Sequence, residues 1–147
     1  YGGNDLLCYR DDHGELASRQ QDQWQPWLDH LAENRGIALQ IVNGIMPTPQ
    51  PDAVKFSPLI AAYDNWRLGM LHRATSLSGS LVLGLNFVDG MIDDKSMFTL
   101  AFLDELWQNE KWGTDLTPQT GTDFYAPNCR MLRIFWHCWA TQWQLKN

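Results

Sequence analysis

With 147 residues, 44% of them apolar and 19% charged, the chain has the composition of a globular domain that buries its own core. The greasiest stretch, 77–88, is broken by Ser78, Gly79, Ser80 and Asn86, well short of the roughly eighteen apolar residues that a membrane-spanning helix needs. A net charge of -6 with no Lys/Arg cluster lacks the electrostatic footprint of a nucleic-acid or anionic-lipid binder and leaves a protein or a small molecule as the expected partner.

Cys8, Cys129 and Cys138 are odd in number and show no C-x-x-C spacing, which suggests neither a disulfide framework nor a zinc knuckle and fits a reducing compartment. The chain opens at Tyr1 without a basic or apolar leader, so no secretory signal is read, and upstream sequence is expected to have been removed.

In chain order, 6–10 is a short β-prone run closed by the turn residues Asp11, Asp12, His13 and Gly14. Residues 15–35 follow a helical pattern that Gly36 ends, and Pro26 predicts a break into two short helices. Ile37, Leu39 and Ile41 alternate as in a strand before the turn at Asn43 and Gly44, and this strand is expected to pair with the first. Pro47, Pro49 and Pro51 then form a stiff connector that separates a region 1–45 from a helical bundle over 46–147. Within the bundle the pattern predicts helices at about 51–62, 64–75, 77–89, 93–112 and 123–144. Asp64 and Asp93 or Asp94 suit N-caps, and Gly90 and Gly113 suit helix ends.

Candidate chemistry is sparse. Ser76, Ser78 and Ser80 lie in TSLSGSLVLG, which is not a nucleophile elbow, and Ser78, Gly79, Ser80 and Gly84 read better as small residues that let two helices approach. Gly79 and Gly84 have a phosphate-loop offset, but Leu85 and Asn86 stand where that loop needs Lys and a hydroxyl. Asp11, Asp12 and His13 are consecutive and read as a solvated turn rather than a metal site. His137 and Cys138 diverge by about 100° on a helix and form no thiolate pair by themselves. Asp104 and Glu105, inside FTLAFLDELWQNEKWG, diverge likewise and make a poor acid–base dyad. Asp104, Gln108 and Lys111 instead trace a polar stripe flanked by Trp107 and Trp112, which is either a solvated face or a strip presented to a protein partner. Trp24 with Trp27, and Trp136 with Trp139 and Trp143, fall at helical spacings that usually mean core, although aromatics also anchor interfaces.

The segments DLLCYR, RQQDQWQPWLDHL, IVNGIMPTPQP, LHRATSLSGSLVLGL and LDELWQNEKWG occur in an order and spacing that resembles the assembly chaperones for the alpha subunit of F-type ATP synthases, in the form found in alphaproteobacteria with mitochondrial relatives. The resemblance covers residue 5 to about 115 and stops there, because TDFYAPNCRMLRIFWHCWATQWQLKN is more aromatic than the helix the family carries next. It implies a mainly α fold: a helix bundle with a short two-stranded β element near its N-terminus, following a β-rich upstream domain. It also implies a monomeric, non-catalytic, cofactor-free chaperone that holds free alpha subunit, in the bacterial cytoplasm or the mitochondrial matrix. On this resemblance Asp104, Glu105, Trp107, Gln108 and Trp112 are the expected partner-binding residues, Glu105 first. The competing classes are a small hydrolase or transferase with a pocket near Ser78 and His72, and a generic protein-interaction adaptor.

Overall fold

A computed structural model describes residues 1–113, so the expected helix at 123–144 and the aromatic segment around it lie outside the described residues. The fold is mainly α with one small sheet. Asp5 caps a 3-10 turn at Leu6–Cys8, and β1 (Tyr9–Arg10) follows. Next come α1 (Gly14–Arg35), β2 (Val42–Asn43) and a second 3-10 turn, Pro51–Lys55. The remaining helices are α2 (Phe56–Ala61), α3 (Asn65–Ser78), α4 (Leu81–Val88), α5 (Asp94–Ala101) and α6 (Leu103–Trp112).

The expected break at Pro26 does not occur, and α1 runs through it. Pro26 points to solvent, so its missing N–H weakens the ladder only on the wet side. The dry side carries Leu16, Gln20, Trp24, Leu28 and Leu31, a stripe with helical spacing whose burial on both sides of the proline holds the two halves in one helix. Gly36, at φ 63°, closes it with an N–H to the Ala32 carbonyl.

The expected strand over 37–41 is also displaced. Its alternation is real, since Ile37 is buried and Leu39 packs on the core. Its backbone partners, however, are side chains: Asp52 accepts from the Ala38 N–H at 2.8 Å, Gln50 both accepts from and donates to Gln40, and Lys55 donates to the Gly36 carbonyl at 2.7 Å. The pairing strand is therefore Val42–Asn43, parallel to Tyr9–Arg10 with Tyr9 opposite Val42.

At the centre lies α4, in which every residue from Leu81 to Val88 is buried. A helix apolar all round belongs in a core, but its first amides then have no water to bond. Ser80 Oγ accepts from the Leu83 N–H at 3.0 Å, and the buried Asp5 carboxylate accepts from Ser80 Oγ at 2.7 Å and from the Val82 N–H at 3.1 Å. Burial pushes the Asp5 carboxyl up from its ordinary value, against the hydrogen bonds from Ser80, Val82, Leu7 and Leu81. Burial, with the Asp5 charge adding to it, also pushes the neighbouring Cys8 thiol up to about 12.

Because α4 starts only after Ser80, the helix expected to begin at 77 begins four residues late, and α3 extends instead to Ser78. Gly79 takes the left-handed turn between them, at φ 69°. Gly84 lets α3 and α4 touch: a Cβ there would lie 2.5 Å from Thr75 Oγ1 and 3.2 Å from the Thr75 backbone nitrogen. At the far end of α4, Asp89 is clamped by Arg35, Arg67 and Tyr63, tying together the ends of three helices.

The expected helix over 51–62 resolves into the 3-10 turn and α2, while Asp64 and Asp93 cap α3 and α5 as their position predicts. The expected single helix over 93–112 is divided at Phe102, where ψ is 26°. The Leu100 carbonyl at this division accepts the Trp24 indole N–H at 2.8 Å, so a side chain of α1 fixes the point where the helix turns. One hydrophobic cluster spans the proline connector, joining Leu16, Trp24, Leu28 and Ile37 to Met70, Val82, Leu85 and Leu100.

Two substitutions test this core. Gly84→Ala should cost about 1–3 kcal/mol through overpacking against Thr75. Asp5→Asn keeps an acceptor for Ser80 but aims an amide donor at a backbone N–H, and should cost a similar amount, about 1–3 kcal/mol. Urea denaturation should show lower midpoints with unchanged slopes for both. Wild-type midpoints would mean that neither contact is tight.

Candidate partner-binding surface

The dry face of α6 is made by Leu103, which is buried, and by Leu106 and Trp107, which are half-buried. Its wet face carries Glu105, Gln108, Asn109, Glu110, Lys111 and Trp112. Acidic residues open the helix and Lys111 ends it, the arrangement that the helix dipole favours. Ion pairs tie the wet face to α1: Lys111 to Glu15 at 2.5 Å, and Glu110 to Arg19 at 2.7 Å.

The five residues singled out in the sequence therefore separate. Glu105, Gln108 and Trp112 face solvent, with Trp112 74% exposed. Trp107 packs its ring on the core, meets Trp112 edge-on at 5.4 Å, and has the Lys111 ammonium 5.9 Å from its centroid. Its buried indole N–H finds no acceptor among the described residues.

Asp104 turns inward. Its Oδ1 accepts from Gln20 Nε2 at 2.9 Å, and the other end of the same amide, Gln20 Oε1, accepts the Asp11 N–H at 2.7 Å. Burial pushes the Asp104 carboxyl up from its ordinary value; the Gln20 hydrogen bond opposes this, Asp11 adds to it, and the Arg10 charge opposes it. Arg10 is only 5% exposed and stacks 5.0 Å from the Trp24 ring centroid. Among the described residues its guanidinium nitrogens have no hydrogen-bond partner, and burial lowers its pKa to about 10.

Sequence reasoning missed Arg10 and Gln20. The signal for Gln20 was present, because a polar residue in the buried spacing of Leu16, Trp24, Leu28 and Leu31 must bond something inside. Nothing in the pattern marks Arg10, whose burial depends on the sheet and on Trp24.

The structure does not bring Ser78 and His72 together as a catalytic pair. Ser78 Oγ donates to the Ala74 carbonyl at 2.8 Å inside the core. His72 is exposed, on the rim of an apolar cleft of about 490 Å³ lined by Phe56, Ile60, Leu71 and Thr75, which Ser78 does not line. Among the described residues no three His, Cys, Asp or Glu side chains are placed to share a metal ion, and no helix is long and apolar enough to cross a membrane.

No family model matches the chain. Solved structures do. Two structures of Atp12 from Paracoccus denitrificans, one of them an aspartate-to-lysine mutant, match with a TM-score of 0.85 and 36% identity over 93% of this chain. A protein from Agrobacterium tumefaciens, provisionally described as a chaperone, matches with a TM-score of 0.73 and 35% identity over 91% of this chain. The likeness covers sequence as well as architecture, and it defines the class as a mainly helical domain of the Atp12 fold. In sequence and in fold the chain is similar to Atp12, whose family its motifs resemble. It spans 60% of the length of the Paracoccus chains and 48% of the Agrobacterium chain.

The inward turn of Asp104 has a measurable sign. Its folded value lies above the unfolded 3.8, so the folded state binds more protons across that window, and the contribution of this carboxyl to stability falls as pH rises through it. Asp104→Asn keeps an acceptor for Gln20 and abolishes the titration. Urea unfolding across the acid range should therefore show the free-energy difference between variant and parent moving in favour of the variant as pH rises, whereas a constant difference would place Asp104 in water.

Proposed function

We propose that the chain is the client-holding part of an assembly chaperone for the alpha subunit of the F-type ATP synthase catalytic sector. It acts without catalysis or cofactor, as a monomer, where free alpha subunits occur: the bacterial cytoplasm or the mitochondrial matrix. An unassembled subunit exposes apolar surface that its neighbour later hides, and such surface aggregates unless covered. The observation that carries this reading is the division of α6 into a locked face and an open face. Leu103, Trp107 and Asp104 fix the helix to α1 and the core, which leaves Glu105, Gln108 and Trp112 held outward on a rigid support. An aromatic and two hydrogen-bonding side chains on a fixed helix suit recognition of another polypeptide. The similarity to Atp12 from Paracoccus denitrificans supports the same reading. A hydrolase reading gains no support, because the Ser78 hydroxyl is bonded to the backbone within the core.

Co-expression with the alpha subunit, followed by size exclusion, should yield a stoichiometric complex. Glu105→Lys should abolish it while leaving the helical circular dichroism signal intact, because Glu105 is exposed and has no packing role. Trp112→Ala should weaken it by about 2 kcal/mol, the scale of an aromatic hot spot. A Glu105→Lys protein that still holds the alpha subunit would remove Glu105 from the contact.

A further inference from the structure

The open face of α6 is polar and charged, and Trp112 is its one large exposed apolar side chain. That is too little apolar surface to cover an apolar client, so the cover must come from elsewhere on the molecule. Among the described residues, the segment between α1 and the second 3-10 turn carries such surface. Residues 36–51 contain no charged side chain, yet Ile45 is 91% exposed, Met46 74% and Ile41 42%. Val54, just beyond this stretch, is 76% exposed.

Leaving such side chains in water is unfavourable for an isolated protein. This loop is nevertheless held in place. Gln50 closes its base by bonding both the N–H and the carbonyl of Gln40, at 2.7 and 2.9 Å, which makes 41–49 a compact loop with joined ends. Asp52 and Lys55 brace the preceding strand-like segment, Pro47 and Pro49 stiffen the return, and Gly44 donates to the Arg10 carbonyl at 3.0 Å. A loop fixed in this way loses little conformational entropy when it docks.

The root of the loop is also continuous with α6. Gly44 is bonded to Arg10, the adjacent Asp11 to Gln20, and Gln20 to Asp104. We infer that loop 41–49 is a second contact on the alpha subunit, an apolar projection led by Ile45 and Met46 that seats in an apolar groove of the client while α6 supplies the polar contact. This rests on the reading given under Proposed function. An uncharged loop on a chain of net charge -6 suits an apolar protein groove better than an anionic bilayer.

The test is calorimetric titration of the full chain with purified alpha subunit, comparing the parent, an Ile45→Asp/Met46→Asp double variant, the milder Ile45→Ser/Met46→Ser pair, and Gln50→Ala. Both loop pairs should keep the parental circular dichroism spectrum and lose at least about tenfold in affinity. Gln50→Ala, which unties the loop without touching its apolar tip, should lose several-fold. Binding within about twofold of the parent by the folded loop pairs, while Glu105→Lys still abolishes it, overturns the role of the loop and leaves the reading of α6 standing. Failure of the parent chain to bind alpha subunit overturns both. Co-sedimentation of the parent with phosphatidylcholine–phosphatidylglycerol vesicles, lost in the loop pairs while alpha binding is unchanged, assigns the loop to lipid and overturns the inference.

Discussion

The structure depends on how the start of α4 is satisfied. A helix buried on every side has amides that cannot reach water, and here Ser80 and the buried Asp5 carboxylate take their place. Asp5 also caps the first 3-10 turn through the Leu7 N–H, so one carboxylate fixes the beginning of the chain against the centre of the bundle. The position of the sheet follows, because β1 begins immediately after that turn. Arg10, at the end of β1, then lies against Trp24, and Trp24 in turn fixes the division between α5 and α6. The outward strip on α6 thus traces back, contact by contact, to a capping problem at residue 80.

Much of the fold was legible in the sequence for local reasons. Asp64, Asp93 and Gly36 each act within a few residues of their own position, and each marks a helix end where one is found. What escaped was non-local. Pro26 announces a break that the buried stripe on the opposite face of α1 overrides. Residues 37–41 alternate like a strand, but the partner strand is replaced by the side chains of Gln50 and Asp52, which no periodicity records. The turn at Phe102 depends on an indole in α1, far away in sequence.

The candidate site divides along the same line. The acidic and aromatic motif singles out α6 as the candidate helix, because the mixture of Glu105, Trp107, Gln108 and Trp112 is visible from composition and spacing. That Asp104 faces Gln20 while Glu105 faces water follows from the rotation of α6 against α1, which only packing sets. Adjacent carboxylates therefore have different surroundings: Asp104 holds the helix to α1, and Glu105 faces solvent.

The bonds that close this domain join distant parts of the chain. Asp5 reaches Ser80 and Val82 across 75 and 77 positions, Trp24 reaches Leu100 across 76, and Gln20 reaches Asp104 across 84. During synthesis, α1 emerges from the ribosome with only the short segment before it to pack against, and the rest of its apolar stripe stays uncovered until the residues around 80 to 104 have followed. A domain proposed to shelter another polypeptide therefore passes through its own period of vulnerability, which ends only when α6 has been translated.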